Sequence, residues 1–384
     1  MRSFMKEKLI ILILFLLLTP ISGAWETWTF IVTADSRSES HDENLGVNVP
    51  ILTELVNEIL TKNPDMFLFA GDLVVGNTTQ DLLEDEFLQW REVMEPVYQA
   101  GIPVYIVRGN HDGGSSSITT AWNNVFKDET SSGGLDYSLP QNGPAGEENL
   151  TYSITHKNAL ILALDECTTV NHGNNYVTQD WVDSQFAFNT RPHVFSYGHY
   201  TAFKMVWDSM GDHPVERNAF WQSLEDAGSR VYFCGHEHFY HHATADNDND
   251  PNNNIDQVVS GAAGASVHYW DGIYKGDNGG YELTDNFHTT RFGYILVTIT
   301  GNEVVLTWMQ RDSDDQTIPG NYLPEYSWSY TIPYDVFTLD EFADMAECWC
   351  GTDEAGCGDY DYSGDGIVNL LDLAIRLEMW LVDV

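Results

Sequence analysis

The chain has 384 residues, with 58 acidic against 17 basic side chains and a formal charge of −41. So few cations cannot cluster to neutralise a phosphate backbone, which excludes nucleic acid as a partner. A hydrophobic share of 43%, including 12 Trp, 19 Tyr and 18 Phe, is enough to fill a sizeable core, so wholesale disorder is excluded as well.

Residues 1–24 read as an export signal. Arg2, Lys6 and Lys8 precede the apolar run Leu9 to Leu18, and Ser22-Gly23-Ala24 places small residues where a signal peptidase cuts. The run is too short to span a bilayer comfortably. The mature chain is therefore expected to be exported (secreted, periplasmic or cell-surface associated) with no transmembrane anchor.

From Trp28 onward, short β-rich runs alternate with amphipathic stretches. Thr27 to Thr33, Met66 to Ala70, Val104 to Val107, Ala159 to Leu164, His193 to Tyr197 and Val231 to Cys234 are predicted buried strands. Val49 to Leu60, Leu82 to Tyr98, Thr178 to Ala187 and Val215 to Ala227 are predicted helices. Such alternation implies an α/β fold, in which ligands bind beyond the C-terminal ends of the strands. Tyr294 to Thr300 and Val304 to Trp308, joined by Gly301-Asn302, read as a hairpin closing a domain over 25–310. Residues 311–334, rich in Gly, Pro and polar side chains, are expected to be a linker to a small unit over 335–384.

The chemistry lies where polar residues end these strands. The first three run into Asp35-Ser36-Arg37, Gly71-Asp72 and Gly109-Asn110-His111-Asp112, and two later ones into Gly198-His199 and Gly235-His236-Glu237-His238. Five strand ends thus bring oxygen and nitrogen ligands for Mn, Fe or Zn to one rim, with glycines where the backbone turns tightly. Any one of these pieces alone is an ordinary turn; the ordered set predicts a metal site.

With these motifs, residues 28–310 resemble the calcineurin-like metallophosphoesterase superfamily. Phe233 to Tyr240 and Leu139 to Pro144 look most like its purple acid phosphatase members. The resemblance implies a two-sheet sandwich flanked by helices, holding two divalent or trivalent ions. Carried over by position, Asp72 bridges the ions; Asn110, His199 and His236 complete one site, and Asp35 and His238 belong to the other. The implied activity is hydrolysis of phosphate mono- or diesters by metal-activated hydroxide. His111 is expected to stabilise the transition state or protonate the leaving oxygen, with Asp112 orienting its ring.

Two positions depart from the family pattern. Arg37 stands where a His ligand is usual, and a guanidinium has no lone pair to give a metal. Either the first site is weak or filled in by another group such as His41, or Arg37 contacts the substrate phosphate; the latter is favoured, since a cation beside two metals needs an anion nearby. Val75 replaces the Tyr ligand of purple acid phosphatases, so the purple chromophore is not expected. The competing reading is a surface-attached binding protein that keeps the fold but has lost activity through Arg37.

Near the C-terminus, Asp361, Ser363, Asp365, Asn369 and Asp372 fall at positions 1, 3, 5, 9 and 12 of a loop with Gly366 at 6, and the Ile367 carbonyl takes position 7. This spacing wraps one calcium ion. The segment resembles a dockerin-type calcium loop in a small all-α unit, which implies a cohesin-like or cell-surface partner. Among Cys348, Cys350 and Cys357, a Cys350–Cys357 or Cys348–Cys357 disulfide is expected, while Cys167 and Cys234 read as buried thiols.

Overall fold

The computed structural model describes residues 27–39, 46–77, 79–113, 116–126, 134–167, 171, 175–332 and the isolated positions 348, 367 and 368. Parallel strands buried on both faces read as unbroken apolar runs, and Met66–Ala70 is of that kind, with every residue 0–1% exposed. The first sheet contains β1 (Thr27–Thr33), β2 (Met66–Ala70), β3 (Val104–Val107), β11 (Gly293–Thr300), β12 (Glu303–Arg311) and β13 (Tyr322–Thr331), in the order β13-β12-β11-β1-β2-β3. The second contains β4 (Tyr152–His156), β5 (Ala159–Ala163), β6 (His193–Tyr197), β7 (Val231–Cys234), β8 (Tyr240–Asp246), β9 (Ile255–Ser260) and β10 (Glu282–Thr289), in the order β10-β8-β9-β7-β6-β5-β4. Both are mixed: β1, β2 and β3 run parallel, as do β5, β6, β7 and β9, and the remaining neighbours are antiparallel.

The sheets meet through apolar side chains on their inner faces. Phe30 of β1 packs edge-on against Phe195 of β6 at 5.2 Å, and Tyr240 of β8 stacks on Trp308 of β12 at 4.2 Å. Helices α1 (Val49–Lys62), α2 (Gln80–Gln99) and α3 (Ser116–Phe126) belong to the first half of the chain; α4 (Gln179–Ala187) and α5 (Pro214–Asp226) belong to the second. In α1 the buried Ile51, Leu52, Leu55, Val56 and Ile59 recur at helical spacing along one face. Pro50 occupies its first turn, where a missing N–H costs nothing, and Asn63 ends it in the left-handed conformation at φ 48°. A second apolar cluster, including Leu162, Phe220, Trp221 and Tyr232, lies between α5 and the outer face of the second sheet. No described helix is long and apolar enough to cross a membrane.

The expected linker over 311–334 is corrected here. Tyr322–Thr331 pairs antiparallel with β12 from Glu303↔Thr331 to Arg311↔Tyr322, so the sheet continues through the segment. Tyr322, Tyr326, Trp328 and Tyr330 sit at every second position, a strand pattern that Pro324 obscures; proline is tolerated because β13 is the sheet edge. The expected calcium ligands Asp361, Ser363, Asp365, Asn369 and Asp372 lie outside the described residues. Of that unit, Val368 is buried, Ile367 is exposed and Cys348 is disulfide-bonded. Cys167 and Cys234 are free and buried, as expected.

Candidate metal centre

The parallel strands β1, β2, β3, β6 and β7 release their chains at one rim, and three residues turn there at a cost. Asp35, Asp72 and His236 hold left-handed backbones, at φ 64°, 53° and 69°. Non-glycine residues adopt this region rarely, and such strain gathers at functional sites. Close approach also explains two of the glycines: a Cβ on Gly109 would lie 2.1 Å from Asp72 Oδ1, and one on Gly235 would lie 2.4 Å from Asp35 Oδ2.

Around Asp72, the side chains meet acceptor to acceptor. His199 is fully buried and donates from Nδ1 to the Ala70 carbonyl at 2.9 Å. Burial lowers its pKa, so the ring is neutral and Nε2 carries a lone pair. That nitrogen lies 3.1 Å from Asn110 Oδ1 and 3.4 Å from Asp72 Oδ1. His236 places Nδ1 2.9 Å from Asn110 Oδ1, and its Nε2 is buried without a hydrogen-bond partner. Burial and the neighbouring His199 push the His236 ring well below its ordinary pKa. Lone pairs converging in this way fit a metal ion of the borderline class.

On the other side, Asp35, Asp72 and His238 also place donor atoms within 4.8 Å of one another. His238 donates from Nδ1 to the Ser266 carbonyl at 2.9 Å, which turns Nε2 toward Asp35 Oδ1 at 3.6 Å. Burial, then the Arg37 charge, takes its pKa down to about 3. Asp35 accepts the His236 N–H on Oδ2 at 2.9 Å, while its buried Oδ1 has no hydrogen-bond partner. Burial and the Asp72 carboxylate raise the Asp35 pKa. Burial would also raise that of Asp72, but His199 and His111 beside it bring it below its ordinary value. Here a cation is already present: Arg37 brings Nη2 to 3.4 Å from His238 Nε2 and Nε to 3.5 Å from Asp72 Oδ2.

His111 lies at the same rim. It donates from Nδ1 to the Val75 carbonyl at 2.5 Å, leaving Nε2 4.0 Å from Asp72 Oδ2, and its backbone N–H bonds Asp72 Oδ1 at 3.0 Å. The expectation that Asp112 orients this ring is corrected. The buried Asp112 carboxylate accepts backbone N–H groups from Leu73, Val74 and Gly109 at 3.0–3.3 Å, so it ties the β2 turn to the β3 turn, and the Val75 carbonyl orients the imidazole.

Arg37, Asp72, Asn110, His111, His236 and His238 line a cleft of about 400 Å³, together with Tyr200, Trp207 and Asp208. Sequence reasoning missed its supports. Glu166, just past β5, accepts the N–H groups of His199 and Tyr200 at 2.7 and 2.6 Å and fixes the turn that carries His199. Asp165 beside it forms a buried ion pair with Arg108. An acidic pair directly after a strand was the available signal, the same one that marked the other strand ends. Glu237 bonds the Val206 and Trp207 N–H groups at 2.7 and 2.9 Å and His268 Nε2 at 2.9 Å, holding the Trp207 wall of the cleft.

The family profile described as calcineurin-like phosphoesterase matches residues 40–240. No curated protein matches the chain in sequence. Similar solved structures include a purple acid phosphatase from yellow lupin (Lupinus luteus) seeds, with a TM-score of 0.57 and 13% identity over 82% of this chain and 55% of that one. The anchor protein of the inner membrane complex of Plasmodium has a TM-score of 0.54 and 13% identity, over 83% and 94% of the two chains. PhoD has a TM-score of 0.53 and 13% identity, over 80% and 70%. At these identities the likeness shows the fold, and the chain spans little more than half the length of the lupin enzyme.

Proposed function

The chain belongs to the calcineurin-like phosphoesterase family, and from its cleft we propose that it is an exported, metal-dependent hydrolase of phosphate mono- or diesters. The observation that carries this reading is that Asp72 Oδ1 and Asn110 Oδ1 both lie within 3.4 Å of the unprotonated His199 Nε2, with the half-buried His236 ring alongside. Bound Mn, Fe or Zn supplies a Lewis acid for the phosphoryl oxygens and lowers the pKa of water.

The chain's own residues do the rest. Asp72, Asn110, His199 and His236 would hold an ion, and His238 lines the other side of the cleft with Asp35 buried behind it. Arg37 is a fixed cation that can take a phosphoryl oxygen. His111, with Nδ1 committed to the Val75 carbonyl, turns Nε2 to the cleft, where its protonated form can give a proton to the leaving oxygen. Tyr200 and Trp207 form an aromatic wall for the group attached to phosphate.

Incubating the purified protein with manganese and either an aryl phosphate or a bis-aryl phosphodiester tests this reading. Turnover of at least one is expected. No turnover of either, with manganese demonstrably bound, would favour the second reading, a surface-attached binding protein. That reading is motivated by Arg37 at the first ligand position and by the fold shared with a protein described as an anchor.

The reading extends to both ends of the chain. Residues 1–24 would be cleaved after Ala24, and residues 335–384 would bind one calcium ion through Asp361, Ser363, Asp365, Ile367, Asn369 and Asp372 and dock on a cohesin-like or cell-surface partner. Capture of a cohesin-like protein in calcium but not in chelator is the expected result.

A further inference from the structure

We infer that the Arg37 guanidinium is a built-in cation that takes the place of one ion of the pair, so that each chain holds a single catalytic metal, in the Asp72, Asn110, His199 and His236 set. The inference rests on the metal-dependent reading above and concerns how many ions the cleft accepts.

Hydrogen-bond roles separate the two positions. In the Asn110 set, the facing atoms of Asp72, Asn110 and neutral His199 are acceptors, and no side chain donates between them. Three lone-pair-bearing atoms gathered in this way fit an added cation. In the Asp35 set, His238 Nε2 and Asp35 Oδ1 are likewise two acceptors, 3.6 Å apart, but an N–H of Arg37 reaches His238 Nε2 at 3.4 Å and the guanidinium charge also faces Asp72 at 3.5 Å. An ion held by Asp72 and His238 would need the same two side chains that the guanidinium approaches.

The backbone under Arg37 is anchored on both sides, so the side chain springs from a fixed point. Ser36 donates its N–H to the Asp72 carbonyl at 3.0 Å and its hydroxyl to the Leu73 carbonyl at 2.9 Å, and it accepts the Trp90 indole N–H at 3.0 Å. Ser38 N–H bonds the Gly46 carbonyl at 2.8 Å, and Arg37 itself bridges Val47.

The test is a manganese titration of the full-length protein in calcium-saturated buffer, with manganese counted per chain and electron paramagnetic resonance recorded. Wild type is expected to bind one manganese with the spectrum of an isolated ion. Arg37→His, which supplies the missing imidazole, is expected to bind two with an exchange-coupled spectrum. Two coupled ions in wild type, or one ion in a folded Arg37→His variant, overturns the inference. If the variant does not fold, the wild-type count decides alone. Two ions with phosphoesterase turnover would sink the inference and leave the functional reading intact, whereas no bound manganese and no turnover would sink both.

Discussion

On one side of Asp72, Asn110, His199 and His236 gather lone pairs with no cationic side chain hydrogen-bonded to them; on the other, Asp35 and His238 meet a guanidinium that the chain itself supplies. Both sides are walled by the same strand ends and share one carboxylate, so their difference lies in where the positive charge comes from. An ion satisfies several acceptors at once and leaves when ligands are protonated or chelated. A guanidinium cannot be chelated away, but it donates in fixed directions and leaves Asp35 Oδ1 without a hydrogen bond.

The change expected to act most strongly strikes the residue common to both sides. Asp72→Asn is expected to lower turnover by about a thousandfold, the upper scale for removing one preorganised electrostatic group, and to empty the manganese site. Tight manganese binding by this variant, measured in the same titration, would show that the Asn110 side stands without its shared carboxylate. His111→Ala removes no proposed ligand, keeps the backbone N–H that bonds Asp72, and is expected to cost about a hundredfold. Its manganese content should stay unchanged, and the loss should be larger on alkyl than on aryl esters because alkoxide is the poorer leaving group. Equal losses on both ester types would argue against proton donation by His111.

The remaining effect is on stability rather than turnover and probes the scaffold under the lone-pair side. Burial raises Glu166 from its ordinary 4.5 to about 8. The Tyr232 hydroxyl lies against both Glu166 and the Tyr200 carbonyl, the latter at 2.9 Å, and its single proton cannot serve both, so a neutral carboxyl completes the network. The unfolded chain ionises this group near 4.5 while the native one keeps its proton, so the unfolded state binds fewer protons across pH 4.5 to 8. Its stabilisation is therefore complete below 4.5 and is lost as pH rises to about 8, by on the order of a few kcal/mol. Melting metal-free wild type and Glu166→Gln across this range should show that slope in wild type and a flatter one in the variant; parallel curves would mean Glu166 is ionised throughout.

Legibility in the sequence followed burial. Strands β1, β2, β3, β6 and β7 stood out because both their faces are covered, which makes each an apolar run that stops abruptly at a polar rim. Strands β10 and β13 did not, since one face or a whole edge meets solvent: Glu282–Thr289 is exposed or half-exposed along its length; β8 is buried but carries His241, His242 and Thr244, so it is no apolar run. Asp112 looked catalytic because it follows His111, yet its carboxylate points back into three backbone amides. Val75 mattered through its carbonyl, which any residue there would provide.

The order of residue types along the chain was enough to point to the family, the candidate strand-end ligands and the oddity of Arg37, because these depend on which chemical group follows which apolar run. The placement of the Arg37 guanidinium between Asp72 and His238, the tautomers of His199 and His238, and the support from Glu166 come from segments 28 to 201 residues apart. Only folding brings those segments within hydrogen-bonding distance, and distance sets whether a cation is bound or built in.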